Sequence, residues 1–283
     1  MYTTCFYNHP PADDTTMGLG LQTAYNDIGK GEAFVLVHGF TGSKLDFQDQ
    51  LSWFADRYRV IALDQRGHGE SSNLGPYSLN QAVTDLICFL EGLGIERCHL
   101  LGHSLGGMVA MRALLDAPHR FASALLMDTA PHGLTLYPEN IRALLNQKVA
   151  EQGCAALLEG MQGQPQNSAA QRGIDYLGEA EHWRRIRTKL EQMDPAAFAQ
   201  LGLAIGEQAP ITEQLSEITL PVSIIVGSQD KPFVGPAKLM QKKLPNSQLL
   251  RIEKAGHCPQ YENADAWRAA VDAHFDFAAT HAA

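Results

Sequence analysis

One serine in this 283-residue chain has the neighbours a reactive hydroxyl needs. Ser104 lies in Gly102-His103-Ser104-Leu105-Gly106, after the short apolar run Cys98–Leu101 and at the head of a helical pattern. A serine hydroxyl is a poor nucleophile at neutral pH; it requires an adjacent base, and the base requires a group that orients it. The G-x-S-x-G pattern between a strand and a helix holds a serine oxygen clear of a sheet on a sharp, strained turn. Gly102 and Gly106 suit that turn because helix and strand backbones approach too closely for a Cβ, and Gly107 relieves crowding one residue on. A turn whose serine merely caps a helix would carry the same five letters, so the decision rests on partners.

In an open α/β sheet functional groups gather at the carboxyl ends of strands. His257, set off by Gly256 directly after the strand Gln248–Ile252, is placed there as the base; His274 falls mid-helix and His281 in the tail. Two acids end strands. Asp230 follows Val222–Val226 in G-S-Q-D-K-P, and Asp128 follows Ala124–Met127. Asp230 is taken as the acid; Asp128 is read as fixing the loop that enters the next segment and stands as the alternative. Acyl transfer also needs donors aimed at a developing oxyanion. The backbone amides of Leu105, at a helix N-terminus, and of Phe40, in the loop after Phe34–His38, are the candidates. His38 reads as a buried structural histidine. His103, Met108, Asp128, Phe233 and Val234 are candidate pocket residues.

The elements that must position these groups alternate. Strands are expected at Leu19–Ile28, Phe34–His38, Arg59–Leu63, His99–Gly102 and Ala124–Met127. They are separated by helices at Asp46–Phe54, Ser78–Leu93 (Ser78 with Gln81 as a capping box) and Leu105–Asp116. Strict alternation of buried strand and helix argues for a parallel sheet wrapped by helices. Over residues 132–217 only helical patterns occur: Asn140–Leu158, Glu179–Met193 and Pro195–Gly206, with the polar stretch Gln162–Ala170 read as a loop. This block is read as a helical cap inserted into a core made of residues 1–131 and 218–283. The alternation then resumes with strands at Val222–Val226 and Gln248–Ile252, a helix at Pro236–Leu244, and a last helix capped by Asn263. Residues 1–16 read as a loosely packed arm. Arg184, Arg185, Arg187 and Lys189 read as a solvated helix face, and Arg66 and His68 as structural hydrogen-bonding groups.

Bulk properties narrow the classes. A formal net charge of −9 argues against a nucleic-acid partner and against an anionic membrane surface. The five cysteines are odd in number, widely spaced and without C-x-x-C, which fits reduced thiols in a cytoplasmic protein rather than a disulfide framework or zinc site. The N-terminus has neither a basic start nor an apolar h-region, so no signal peptide is expected.

Five motifs in order, H-G-F at 38–40, D-Q-R-G-H-G-E-S at 64–71, G-H-S-L-G-G at 102–107, G-S-Q-D at 227–230 and A-G-H at 255–257, give the chain from about residue 19 to 278 a resemblance to the α/β-hydrolase superfamily. The resemblance implies a mostly parallel eight-stranded sheet with a helical cap, and the order nucleophile Ser104, acid Asp230, base His257. It also implies a metal-free, cofactor-free acyl-enzyme mechanism on a small-molecule acyl substrate. A serine at the turn sets the chain apart from the dehalogenases and epoxide hydrolases of the superfamily, which use aspartate there. Residues 38–43 resemble the menaquinone-pathway synthase, but Met108 stands where that group has arginine. Carbon–carbon hydrolases tend to have asparagine before the serine and tryptophan after the histidine, positions held here by His103 and Cys258. The expectation is therefore a serine hydrolase acting on a small or medium carboxylic ester. A C–C hydrolase, a lactonase, a menaquinone-pathway-like lyase and a ligand-binding receptor keeping the fold are the alternatives.

Overall fold

The apolar runs form strands, and their side chains alternate between two cores. Val35 and Val37 join one hydrophobic cluster, Phe34 and Leu36 the other, as the two-residue period of a strand buried on both faces requires. The computed structural model describes residues 2–9, 21–135 and 137–281. Its eight strands are β1 (Cys5–Asn8), β2 (Gln22–Ile28), β3 (Ala33–Val37), β4 (Arg59–Leu63), β5 (Cys98–His103), β6 (Phe121–Met127), β7 (Val222–Gly227) and β8 (Ser247–Ile252). They form one sheet in the order β1-β2-β4-β3-β5-β6-β7-β8. β1 and β2 run antiparallel, and every pairing from β4 to β8 is parallel. This is the eight-stranded, mostly parallel sheet expected.

Helices in chain order are α1 (Leu51–Phe54), α2 (Leu79–Gly92), α3 (Leu105–Asp116), α4 (Glu139–Gln152), α5 (Leu158–Gln162), α6 (Ser168–Leu177), α7 (Glu179–Glu191), α8 (Pro195–Glu207), α9 (Lys231–Lys243), α10 (Pro259–Glu262) and α11 (Ala264–His281). The segment between β6 and β7 holds α4 to α8 with short 3-10 turns and no strand among the described residues. Against the sheet face carrying Phe34 and Leu36, α11 contributes Trp267, Val271 and Phe275, which pack with Phe47, Leu51 and Phe54. The indole Nε1–H of Trp267 donates to Met127 Sδ at 3.0 Å, so the ring's polar edge is satisfied inside the core.

Several boundaries depart from the sequence reading. The arm contains an edge strand: Cys5–Asn8 pairs antiparallel with residues 22–25 of β2, and β2 starts at Gln22 rather than Leu19. Residues 1 and 10–16 of the arm lie outside the described residues. The helix expected over 46–54 is a 3-10 turn (Lys44–Phe47) followed by the single turn α1. The helix expected over 140–158 stops at Gly153, whose φ of +78° breaks it. The polar stretch 162–170 contains a helix start: Asn167 Oδ1 accepts from the amides of Ala169 and Ala170 and opens α6. Ser78 Oγ caps α2 through the Gln81 amide at 3.1 Å, but the Gln81 side chain turns to Asp85, so only half the capping box forms.

Candidate active site

Ser104 sits between β5 and α3 with φ 53° and ψ −115°. This is the left-handed region, which a residue with a Cβ enters only at a cost of about 1–3 kcal/mol. The fold makes the turn obligatory. A Cβ on Gly102 would fall 2.4 Å from Gly106 O, and one on Gly106 would fall 2.4 Å from Val37 O on the neighbouring strand. A Cβ on Gly107 would meet Thr129 at 2.5 Å. The Ser104 hydroxyl does not cap α3, so the serine is not there for helix capping. Instead Thr129 Oγ1 donates to the Ser104 carbonyl at 2.7 Å, and the Ser104 amide donates to Met127 O at 2.9 Å. The backbone is pinned and the hydroxyl is left over.

Asp230 follows β7 and His257 follows β8, and the parallel pairing of these strands brings the two loops together. His257 Nδ1 and Asp230 Oδ2 are 2.7 Å apart; the carboxylate is buried and the imidazole 40% exposed. A buried carboxylate on Nδ1 fixes the ring so that Nε2 faces outward, and it stabilises an imidazolium. The Phe233 ring, from α9, stacks on His257 at 4.9 Å between centroids and 29° between planes; the ring of His103 lies 4.8 Å away on centroids at 47°.

The loop carrying His257 is tied at both ends of the histidine. Glu262 accepts from the amides of Gly256 and of Cys258, and His103 Nε2 lies 2.8 Å from the His257 carbonyl, to which it donates as the neutral Nε2–H tautomer. Burial, with His257 close by, pushes His103 down to about 3, so it stays neutral at ordinary pH. Glu262 is almost fully buried, and burial raises it above the usual carboxylate range.

Asp128 is not remote from this pair. Oxygen or nitrogen atoms of Asp128, Asp230 and His257 all lie within 4.8 Å of one another. Asp128 Oδ1 accepts from the Gly227 amide at 2.9 Å, at the start of the loop bearing Asp230. Oδ2 is buried without a hydrogen-bond partner among the described residues. Burial, reinforced by the Asp230 carboxylate, raises Asp128 well above the usual range. It thus anchors the neighbouring loop, rather than the one that enters the helical segment. Its own φ of 43° is again left-handed.

The Gly39–Phe40 loop stands directly beside the serine, since a Cβ on Gly39 would come within 3.0 Å of Ser104 Cβ. Neither the Phe40 nor the Leu105 amide has a hydrogen-bond partner among the described residues, as expected for Leu105 in the first turn of a helix. His38 is fully buried and bonds the Gln65 amide at 3.0 Å, with burial lowering it to about 4. Arg66 forks onto Asp85. Both act as structural groups. Met108 is 1% exposed and belongs to a core cluster, and Val234 is half-buried against the same cluster.

The basic run does not face solvent as a whole. Arg185 turns inward from α7 to Asp49 (3.0 Å from Nη2) and Glu181, and Lys189 Nζ reaches Asp46 Oδ1 at 2.6 Å. Burial opposes ionisation of Asp46, but the Lys189 ammonium outweighs it and holds the carboxyl below the usual range. Arg184 and Arg187 remain exposed. Asp46 also accepts from Ser43 N, so α7 is joined to the loop that follows Phe40. A search for charged residues alone could not separate Arg185 and Lys189 from their neighbours; their spacing of four, one helical turn, was the available signal.

Comparison with known proteins agrees with this architecture. The family model of the alpha/beta hydrolase fold matches residues 32–264, and the chain belongs to that family. It is a hydrolase with esterase-like relatives. A Bacillus subtilis protein carrying the provisional name 2-succinyl-6-hydroxy-2,4-cyclohexadiene-1-carboxylate synthase is 30% identical over 87% of this chain and 92% of its own. The 3-oxoadipate enol-lactonase 2 of Acinetobacter baylyi is 29% identical over 92% of this chain and 95% of its own. Among solved structures, a thermophilic esterase from Thermogutta terrifontis superposes with a TM-score of 0.82 over 98% of this chain and 99% of that one, at 24% identity.

Proposed function

We propose that the chain is a serine carboxylesterase acting on small or medium acyl esters through an acyl-enzyme. The observation that carries this reading is the 2.7 Å contact between His257 Nδ1 and Asp230 Oδ2, on a loop held by His103, the residue before a serine in a left-handed conformation. His257 Nε2 takes the proton from Ser104 Oγ as it attacks the ester carbonyl. The negative charge on the carbonyl oxygen is met by the Phe40 and Leu105 amides. His257 returns the proton to the leaving alcohol, and water deacylates the enzyme by the same path in reverse. No step requires a metal or cofactor.

The helical segment 132–217 acts as a cap on a core formed by the flanking residues. The packing of Phe198 and Gly202 of α8 on the Phe40 ring supports that role. The substrate is a small molecule, and the five free cysteines fit a reducing, cytoplasmic setting. Among the described residues no helix is long and apolar enough to cross a membrane.

A lactone, an ester closed on itself, is the second reading, favoured by the 29% identity to an enol-lactonase. The test is hydrolysis of p-nitrophenyl acetate, butyrate and octanoate and of a lactone series by the parent and by Ser104→Ala. Loss of at least about 10³-fold in kcat is expected for the variant. A variant that cleaves these esters at the parent rate overturns the proposal.

A further inference from the structure

Polarity on α4 is mixed. The side chains it exposes include Ile141 at 38% and Leu144 at 62%, whereas Arg142 and Asn146 are half-buried. Arg142, Leu145, Asn146 and Val149 recur at three- and four-residue spacing, which is one stripe of a helix. On that stripe two polar side chains stand where an ordinary amphipathic helix would place apolar ones. A buried polar group is the informative exception to the usual distribution.

The stripe faces a small cleft of about 30 Å³, partly open to solvent. Its walls are the Phe40 ring, Phe198 and Leu145; the backbone of Gly202 and Gly206 on α8 lines one side, and Arg142 and Asn146 supply polar groups. Phe40 links the cleft to the candidate site, because its amide is the proposed oxyanion donor and the residue before it touches Ser104. The Phe40 residue thus joins the wall of the cleft to the loop that packs on Ser104. The Arg142 guanidinium is not consumed by the protein. Its nearest carboxylate oxygen, Glu207 Oε1, is 4.0 Å away on a side chain 64% exposed, where water screens the charge. A Cβ on Gly206 would lie 3.8 Å from Arg142 Nη1, so the fork rests against bare helix backbone and can turn towards a ligand.

A small, mostly apolar cleft with one guanidinium and one carboxamide on its wall suits the anionic end of a ligand. We infer that the Arg142–Asn146 face of this cleft binds a carboxylate on the substrate, remote from the ester that Ser104 attacks. The substrate class is then a half-ester or lactone bearing a free carboxylate. This inference rests on the esterase reading and deepens it. The carboxylate can sit on the acyl side or on the alcohol side; the chemistry of recognition is the same.

The test uses chain-matched pairs. On the acyl side, p-nitrophenyl hemi-esters of glutaric, adipic and pimelic acid are compared with p-nitrophenyl valerate, hexanoate and heptanoate. On the alcohol side, acetyl esters of ω-hydroxy acids are compared with acetyl esters of the matching alkanols. In at least one arm the anionic member is expected to have a kcat/KM about ten- to a hundredfold higher, carried mainly in KM. Arg142→Gln should erase that preference, and Arg142→Lys should restore part of it. Independently of turnover, adipate should raise the thermal midpoint of the parent and of Ser104→Ala, and not that of Arg142→Gln. Equal kcat/KM for anionic and neutral members in both arms, or a preference that survives Arg142→Gln, overturns the inference and leaves the esterase reading intact. Absence of Ser104-dependent cleavage of every ester, neutral or anionic, overturns the esterase reading instead.

Discussion

Replacing Gly106 by alanine tests whether the serine turn is held by its closest backbone approach. The new methyl would lie 2.4 Å from Val37 O and 2.6 Å from His38 O. Carbon–oxygen contacts relax near 3.4 Å, so α3 must retreat from the end of β3 by about 1 Å. Neither neighbour can yield alone, since Val37 is paired on both sides in the sheet and His38 is fully buried. Overpacking of this kind costs about 1–3 kcal/mol, which in a chain of this length lowers the melting temperature by about 2–4 °C per kcal/mol. The functional effect should be larger than the stability effect. Ser104 and Leu105 move with α3 while Phe40 stays with β3, so the two oxyanion amides separate by the same distance. A misplacement of about 1 Å costs on the order of 10²-fold in rate. Gly160 in α5 is the control, because a Cβ there meets nothing within 4 Å; its alanine variant should gain about 0.5–1 kcal/mol and keep parental kcat. Thermal unfolding and p-nitrophenyl butyrate turnover on all three proteins decide the matter. A Gly106→Ala enzyme with kcat within threefold of the parent would refute the reasoning.

Asp230→Asn should lower kcat by about 10³–10⁴-fold, whereas Asp128→Asn, whose Oδ1 can still accept from Gly227 N, should stay within tenfold; steady-state kinetics on both variants reads the contrast, and a larger loss at Asp128 would make it the working acid. Lys189→Met strands the buried carboxylate of Asp46 and should destabilise by about 3–5 kcal/mol, with Lys189→Met/Asp46→Asn markedly milder in urea unfolding; a double variant as unstable as the single would sink the pairing. His38, His68, His103 and His274 are held down to about 4, 3, 3 and 3, so above pH 6.5 neither the folded nor the unfolded chain protonates them. As pH falls from 6.5 the unfolded chain takes up protons that the folded chain refuses, and each histidine costs about 2 kcal/mol by pH 5. The raised carboxyls of Asp64, Asp128 and Glu262 act in the opposite sense. A urea midpoint that failed to drop between pH 7 and pH 5 would contradict the histidine account.

The sheet was legible in the sequence because its strands are buried on both faces and so read as unbroken apolar runs such as Phe34–Val37 and Val222–Val226. α3 was legible to the residue, because Ser104 and Asp116 bound it. Legibility failed where local and tertiary signals diverge. Cys5–Asn8 is a short edge strand whose pairing with β2, not its own pattern, makes it a strand. In α6 only Ala169, Gly173 and Ile174 are buried, too little apolar surface to stand out from a polar stretch. The positions of Asp230 and His257 at strand ends could be argued from the motifs. Glu262 could not, because a carboxylate that ties down the loop of His257 from five residues later resembles any helix-end glutamate. Arg142 was equally hidden: an arginine in a helix reads as surface until the helix is seen to face inward.

The imidazole of His257 packs against the Phe233 and His103 rings, with its Nδ1 edge on Asp230 and its backbone carbonyl accepting from His103. A half-exposed histidine on a loop would ordinarily sample several rotamers, and each departure would interrupt the proton's path. Here two packed rings and a buried carboxylate restrict the side chain, so the ring's rotational entropy is surrendered at folding. On the proposed mechanism, that holds the base ready while alcohol leaves and water arrives.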